Sequence, residues 1–385
     1  MRKYVMISSI LLLSTLVTPV QNLKAPAFIK EVSPDMVAQV EAKTPRKRSF
    51  EVNEDYRALE TSIDHYLTEE KFNGVALVAS GDDIILNKGF GFANAEEDID
   101  NTSTTQFQIA SVSKSFVAVA ILQLVEAGAL TLDTTIDKFF PDMPNANRMT
   151  IHHLLTHSSG LHDASSYEGY DEATILEDLI SPAFASNNLY YEGVGEYTIY
   201  SNLGYDVLGA IVEQVTHLPY ETYLEKYIFT PLGMDDSMLN ITGQTIEHLA
   251  TPYNGNIADG YNAKMMHPSF GYASGGIHST VEDLYLYDRA LAENTLISEE
   301  SYELMIKPYK RVEGSDYSYG WFVDDEVEGL ISHPGNLIGW HSMLIRHEDV
   351  TVILLTNHDE SDMNMGYVIA DLVLANVEDG ELILE

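Results

Sequence analysis

Residues 111–127, SVSKSFVAVAILQLVEA, decide the fold of this chain. From Lys114 to Ala127 the stretch is apolar nearly all round, which predicts a helix buried on every side and not an amphipathic one lying on a surface. Ser111 and Lys114 open it, three positions apart and so on one helical face, where the amine reaches the hydroxyl. A serine hydroxyl is a weak nucleophile that needs an adjacent base, and burial lowers a lysine's pKa until it can accept a proton. The helix N-terminus adds backbone donors and partial positive charge where an oxyanion would form. Alone the SxxK tetrad says little, because ordinary Ser and Lys usage produces it about once by chance in a chain of 385 residues.

Outward from this helix the hydrophobic periods change. Before it, a helix is expected over 56–68 and strands over 74–79 and 84–92, joined at Gly81-Asp82-Asp83 by a hairpin turn. After it the chain is mostly helical to about residue 294, with helices expected over 203–215, 220–227 and 281–292. Strand character returns over 317–323, 329–333, 341–346 and 351–357, and a last helix covers 364–376. Strands, many helices, strands, helix is the order of an α+β fold. One antiparallel sheet is built from both ends of the chain and flanked by helices, with an all-helical region inserted between its halves. The expected domain is 56–378, with a sheet part of 56–115 and 295–378 and a helical part of 116–294.

Composition narrows the function. Hydrophobic residues at 45% are ordinary for a globular chain, and 59 acids against 21 bases leave a formal charge of -38, which repels a phosphate backbone or an anionic bilayer. Nucleic acid is therefore excluded as a partner of the folded part. The absence of cysteine removes thiol catalysis, disulfides and CxxC metal sites. Arg2, Lys3 and the apolar run 5–17, VMISSILLLSTLV, read as a secretory signal over 1–27, with Ala25-Pro26-Ala27 at its end. A secreted, extracytoplasmic protein is expected, with membrane contact at most through this N-terminal segment. Residues 28–55 read as a linker, its basic cluster Lys43, Arg46, Lys47 and Arg48 interrupted by Pro45, and 379–385 as an acidic tail.

Two further motifs follow the SxxK in order. Tyr200-Ser201-Asn202 stands just before an expected helix: a tyrosine beside a lysine ammonium can relay protons, and an asparagine offers a donor and an acceptor to a substrate amide. His333-Pro334-Gly335 ends an expected strand, where a glycine admits close approach of a substrate to the backbone. In this order the three motifs resemble the serine beta-lactamase and penicillin-binding superfamily, in particular its class C beta-lactamase, D-alanyl-D-alanine carboxypeptidase, D-aminopeptidase and esterase branch. The resemblance covers about residues 56–376. It includes Phe107-Gln108-Ile109-Ala110, the stretch TIHHLLTHSSGL at 150–161 and the glycine turn ASGGIHST at 273–280.

The resemblance implies that Ser111 forms an acyl-enzyme, that Lys114 and Tyr200 manage its proton, and that Asn202, His333, Gly335 and Asn336 bind substrate. The oxyanion hole it implies consists of the Ser111 and Asn336 backbone N–H groups. It implies no cofactor and no metal, and a small-molecule or peptide substrate such as a peptidoglycan stem peptide. The third motif departs from the commoner Lys-Thr-Gly, because His333 is neutral near pH 7 and Pro334 has neither hydroxyl nor N–H, which weakens carboxylate recognition.

Several other residues fit structural roles. His153 and His157 have an i, i+4 metal spacing, but no HExxH accompanies them. Glu192 and Glu196 read as solvated loop acids, and Tyr190, Tyr191 and Tyr197 serve equally as cleft lining or as packing. No GxSxG elbow is present. The expected activity is that of an exported serine hydrolase on D-amino-acid or cell-wall peptides, with a carboxypeptidase first and a small-ester esterase or beta-lactamase second. A sensor that binds penicillin or wall fragments without turnover is the alternative from another class.

Overall fold

Helix α1 (Arg57–Glu69) leads into strands β1 (Gly74–Ser80) and β2 (Asp83–Phe90). The sequence of β1, GVALVAS, has no polar residue before its last position, so the strand can be covered on both faces. Val75, Leu77 and Ala79 enter the larger core, while Ala76 and Val78 enter a second core beneath α1. That alternation makes β1 a central strand. It pairs with β2 on one side and, across almost the whole length of the chain, with β13 on the other, Gly74 opposite Thr356.

The computed structural model describes residues 48–161, 163, 179–181, 193–255, 257, 263, 266–312, 315–378 and 381–382. The expected signal segment, most of the linker and of the acidic tail, and Tyr190, Tyr191 and Glu192 lie outside the described residues. Among the described residues no helix is long and apolar enough to cross a membrane.

Past β2 come the short strands β3 (Phe92–Asn94), β4 (Ile99–Asp100) and β5 (Phe107–Gln108), and then helix α2 (Ser113–Glu126) behind a 3-10 turn at Ala110–Val112. The inserted region holds α3 (Ile151–Leu155), α4 (Asn202–Thr216), α5 (Tyr220–Leu224), β6 (Met238–Leu239), β7 (Ile277–Ser279) and α6 (Val281–Ala292). After α7 (Glu299–Ile306) the chain returns to the sheet as β8 (Lys310–Val312), β9 (Ser315–Tyr317), β10 (Phe322–Val323), β11 (Leu330–Leu337), β12 (Trp340–His347) and β13 (Val350–Thr356). Helix α8 (Met365–Leu374) follows. The main sheet is antiparallel with order β2-β1-β13-β12-β11-β10-β9-β8, so it is built from both ends of the chain as expected.

Its two faces are covered differently. Leu59, Ile63 and Leu67 of α1 and Ile369 and Val373 of α8 cover one face. Helix α2 covers the other, buried from Ser113 to Leu124 between the sheet and the inserted helices, as its apolar circumference requires.

Three local differences from the expected elements matter. The insert carries, besides its helices, β6 and β7; β7 pairs with β5 on one side and β6 on the other, a three-stranded sheet that ties the insert to the start of α2. The run 317–323 is two strands and not one: Gly320 turns the chain at φ +78, and a Cβ there would stand 2.7 Å from the Ser115 Cα and 2.8 Å from the Lys114 carbonyl oxygen. The β9–β10 hairpin therefore touches α2 backbone to backbone. Strand β11 runs on through Pro334 to Leu337, so the HPG motif lies inside a strand and not at its end. Beyond Ser332 that side of β11 has no strand partner among the described residues, and such an edge tolerates a proline.

Candidate active site

The turn before α2 places Ser111. Ala110 has φ +47, a left-handed backbone that an alanine seldom adopts, and Ser111 follows half-buried in the 3-10 turn, not in the helix itself. Hydrogen bonds hold the turn from several sides. Ile109 N–H donates to the Ile277 carbonyl at 2.9 Å, Ile277 N–H to Ser113 Oγ at 3.2 Å, and Ser342 Oγ to the Ile109 carbonyl at 2.7 Å. Gly335 lies directly against it, and a Cβ there would overlap the Ile109 carbonyl and the Ser342 hydroxyl. Only a glycine lets β11 come this close.

Lys114 is 0% exposed. Its Nζ stands 3.0 Å from Ser111 Oγ, 2.7 Å from Asn202 Oδ1 and 2.8 Å from the Ser274 carbonyl oxygen. A neutral amine has two N–H bonds and one lone pair. Asn202 Oδ1 and the Ser274 carbonyl can only accept, so they take the two N–H bonds and leave the lone pair to the third contact, the Ser111 hydroxyl. Burial pushes the Lys114 pKa down from its ordinary value, opposed by the negative charges of Asp206 and Asp163.

Asn202 opens α4, whose first turn is capped by Ser201 Oγ accepting from Gly204 N–H at 3.0 Å. Asp163 locks the Asn202 amide: Asn202 Nδ2 donates to Asp163 Oδ2 at 2.7 Å, and Leu203 N–H donates to Oδ1 at 2.9 Å. Only one orientation of the amide gives Asp163 a donor and Lys114 an acceptor.

Tyr200 lies between two bonds to one residue. Ile199 N–H donates to the His157 carbonyl at 2.9 Å and Ser201 N–H to His157 Nδ1 at 3.1 Å, while the imidazole packs on the Tyr200 ring with centroids 4.3 Å apart. Lys114 Nζ sits 4.9 Å from the centroid of the Tyr200 ring. His157 is buried, and desolvation together with the nearby Lys114 and His333 lowers its pKa well below the ordinary value, so it stays neutral. His153 does another job: its Nδ1 accepts from Thr150 N–H at 3.2 Å in a capping box at the start of α3. The i, i+4 pair thus has two separate structural tasks, and among the described residues no group of three His, Asp or Glu side chains could hold a metal ion.

Ser111 opens into a cleft of about 380 Å³. Asn202, Asn336, Asp163 and Asp206 line it, with Leu203, Phe270, Leu337 and Ile338 among the apolar walls. Asn336 follows Gly335 on β11, opposite His341. His333 is 1% exposed and is not a lining residue; its Nε2 meets the Tyr317 hydroxyl at 3.0 Å and its Nδ1 the Pro334 carbonyl at 2.7 Å, behind the cleft wall. Desolvation, followed by the Lys114 charge, lowers its pKa to about 3. Glu196 and Tyr197 are exposed on the loop before Tyr200.

Sequence reasoning missed Asp163 and Asp206. Asp206 did leave a signal, as the one charge in the apolar run 203–212 of α4. Asp163, in irregular chain, left none.

The beta-lactamase family model matches residues 59–375. The chain belongs to the beta-lactamase family. Members of this family are generally serine hydrolases. Penicillin-binding protein 4* of Bacillus subtilis is 29% identical over 327 residues, 78% of this chain and 72% of that protein. A penicillin-binding protein from Bacillus halodurans superposes with a TM-score of 0.71 at 28% identity, over 81% of this chain and 99% of its own. A D-amino acid amidase from Ochrobactrum anthropi gives 0.72 at 26%, over 83% and 98%. The beta-lactamase family thus accounts for the antiparallel sheet and its flanking helices.

Proposed function

We propose that this protein is an exported serine hydrolase that works through an acyl-enzyme on D-amino-acid or cell-wall peptides and related amides and esters. One observation carries the reading: the three contacts of Lys114, two to fixed acceptors and one to Ser111 Oγ at 3.0 Å. Neutral Lys114 takes the Ser111 proton as Oγ bonds to the carbonyl carbon. The carbonyl oxygen becomes an oxyanion facing the Ser111 and Asn336 N–H groups. Collapse breaks the bond to the leaving group, which receives a proton through Tyr200 from the Lys114 ammonium. Water, deprotonated by the same pair, then attacks the ester at Ser111 and releases the acid. Helix α2 and the Asp163 and His157 contacts hold these groups still, so little reorganisation accompanies the charge movement.

A second reading concerns the acyl donor. No cation is among the described residues that line the cleft, Lys114 is reached only behind Ser111 and Asn202, and His333 is neutral and buried behind the wall. A terminal carboxylate has no partner there, which favours amidase or esterase turnover over carboxypeptidase turnover. The apolar run 5–17 supports export, read directly from the mature N-terminus of protein recovered outside the cell.

Mass spectrometry after exposure to a fluorophosphonate or a labelled penicillin tests the nucleophile. One adduct on Ser111 is expected with either, lasting with the fluorophosphonate, and release of product is expected with amide and ester donors. A label on another serine overturns the site, and a permanent Ser111 adduct with every donor turns the enzyme into a sensor.

A further inference from the structure

We propose that Asp206 forms an ammonium-binding subsite of the cleft, so that the preferred acyl donor carries a free amine close to the scissile carbonyl and an apolar side chain. This rests on the acyl-enzyme reading of Ser111 for the identity of the reacting bond, but the subsite itself is a matter of binding.

Asp206 is 4% exposed and yet lines the cleft. It lies one helical turn after Asn202 on α4, on the same face. A buried carboxylate is costly unless it is hydrogen-bonded and paired with a cation. Among the described residues its hydrogen bonding comes from the Ser274 N–H alone, which donates to Oδ1 at 3.0 Å, while the Ser274 hydroxyl donates to the Gly271 carbonyl at 3.2 Å. Lys114 is the nearby cation, but its three directions go to Ser111, Asn202 and the Ser274 carbonyl, so it forms no ion pair with Asp206. Burial pushes the Asp206 pKa up from the usual carboxylate range, so the group is only half satisfied, in the wall of a cleft that Asp163, Asn202 and Asn336 also line and whose apolar lining includes Leu203, Phe270, Leu337 and Ile338. A primary ammonium completes it, and the apolar walls take a hydrocarbon side chain.

Binding there also assists the chemistry. The charge of Asp206 strengthens the hold of Lys114 on its proton. An ammonium that neutralises Asp206 weakens that hold and leaves more of Lys114 as the free amine, which is the form that can deprotonate Ser111. By linkage, deprotonated Lys114 in turn favours ammonium binding. A carboxylate on the donor has the opposite effect on both.

The test compares matched donors on the full chain: D- and L-phenylalanine p-nitroanilide against 3-phenylpropionyl p-nitroanilide, which lacks only the amine. For at least one enantiomer kcat/KM should exceed that of the des-amino donor by ~10-fold or more, and in Asp206→Asn the ratio should fall to about one. The ratio within one protein is unaffected by loss of folded material. Equal rates in the unsubstituted protein, or a preference that survives Asp206→Asn, overturn the proposal. If Ser111 takes no label and no donor is turned over, the hydrolase reading fails, and calorimetry with 2-phenylethylamine and 2-phenylethanol still decides the subsite. Tighter binding of the amine, abolished by Asp206→Asn, supports it; equal binding of amine and alcohol rejects it.

Discussion

Around Lys114 the cleft wall is polar and fully specified, with each N–H or lone pair aimed at one partner and two carboxylates close by. Around His333, on β11, the wall is held by packing: a neutral imidazole against Tyr317 and Phe322, a proline, and a glycine pressed on the Ile109 carbonyl. The first wall can move protons and the second can only shape. In the first, exchange of one atom changes the chemistry. In the second, exchange of one atom changes where Ser111 and Asn336 stand. The likeness to penicillin-binding proteins and to an amidase spans both walls, so the difference between them concerns what this chain acts on and not its membership of the family.

The sharpest break in the comparison is at the nucleophile. Ser111→Ala should lower kcat by about 10⁴-fold or more with the fold intact, read by p-nitroanilide or ester turnover beside circular dichroism. Lys114→Met, which keeps the length without the amine, should cost ~10²- to 10⁴-fold in kcat and slow fluorophosphonate labelling of Ser111 in parallel. If labelling keeps its rate, Lys114 is not the base. His157→Phe keeps a ring against Tyr200 but removes the acceptor of the Ser201 N–H. It should lower kcat about tenfold with little change in KM, while His157→Asn, which restores an acceptor, should recover part of the loss.

On the packed wall the effects are expected in stability first. Gly335→Ala forces β11 away from the Ile109 carbonyl and should cost about 1–3 kcal/mol, seen as a lower Tm together with weaker turnover. The last effect concerns pH. The folded pKa of His333, about 3, lies below its ordinary 6.5, so the stability it contributes is fully present above pH 6.5 and is lost as pH falls from 6.5 toward 3. His333→Gln should therefore flatten the acid limb of the stability curve by about 1.4 kcal/mol per pH unit in that window. It should leave no missing inflection near pH 6.5 in the activity profile, and an inflection there that disappears with His333→Gln would make the two walls chemically alike.

Much of the fold was legible because its signals are local and repeated. The mostly apolar runs of β1, α2 and β13 call for burial, and the return of period-two patterning after residue 294 closes the sheet from the other end. The split at Gly320 and the extension of β11 to Leu337 were not legible. Both depend on what the chain presses against: the α2 backbone in one case, the Ser111 turn in the other.

Sequence by itself determined the inventory, the order and the covalent spacing: a serine three residues before a lysine on a buried helix, then Tyr200 and Asn202, then the β11 motif. Period and burial are properties of a short window, and a window contains them whole. Tertiary structure alone decided which groups meet Lys114, which amide orientation Asn202 keeps, that His333 turns away from the cleft, and that Asp163 and Asp206 turn toward it. The bonds of Asn202 to Asp163 and of Lys114 to Asn202 and Ser274 join residues 39, 88 and 160 positions apart. No local pattern encodes such a meeting. It follows from close packing of the sheet, α2 and α4, which leaves each buried polar group only the partners that happen to face it.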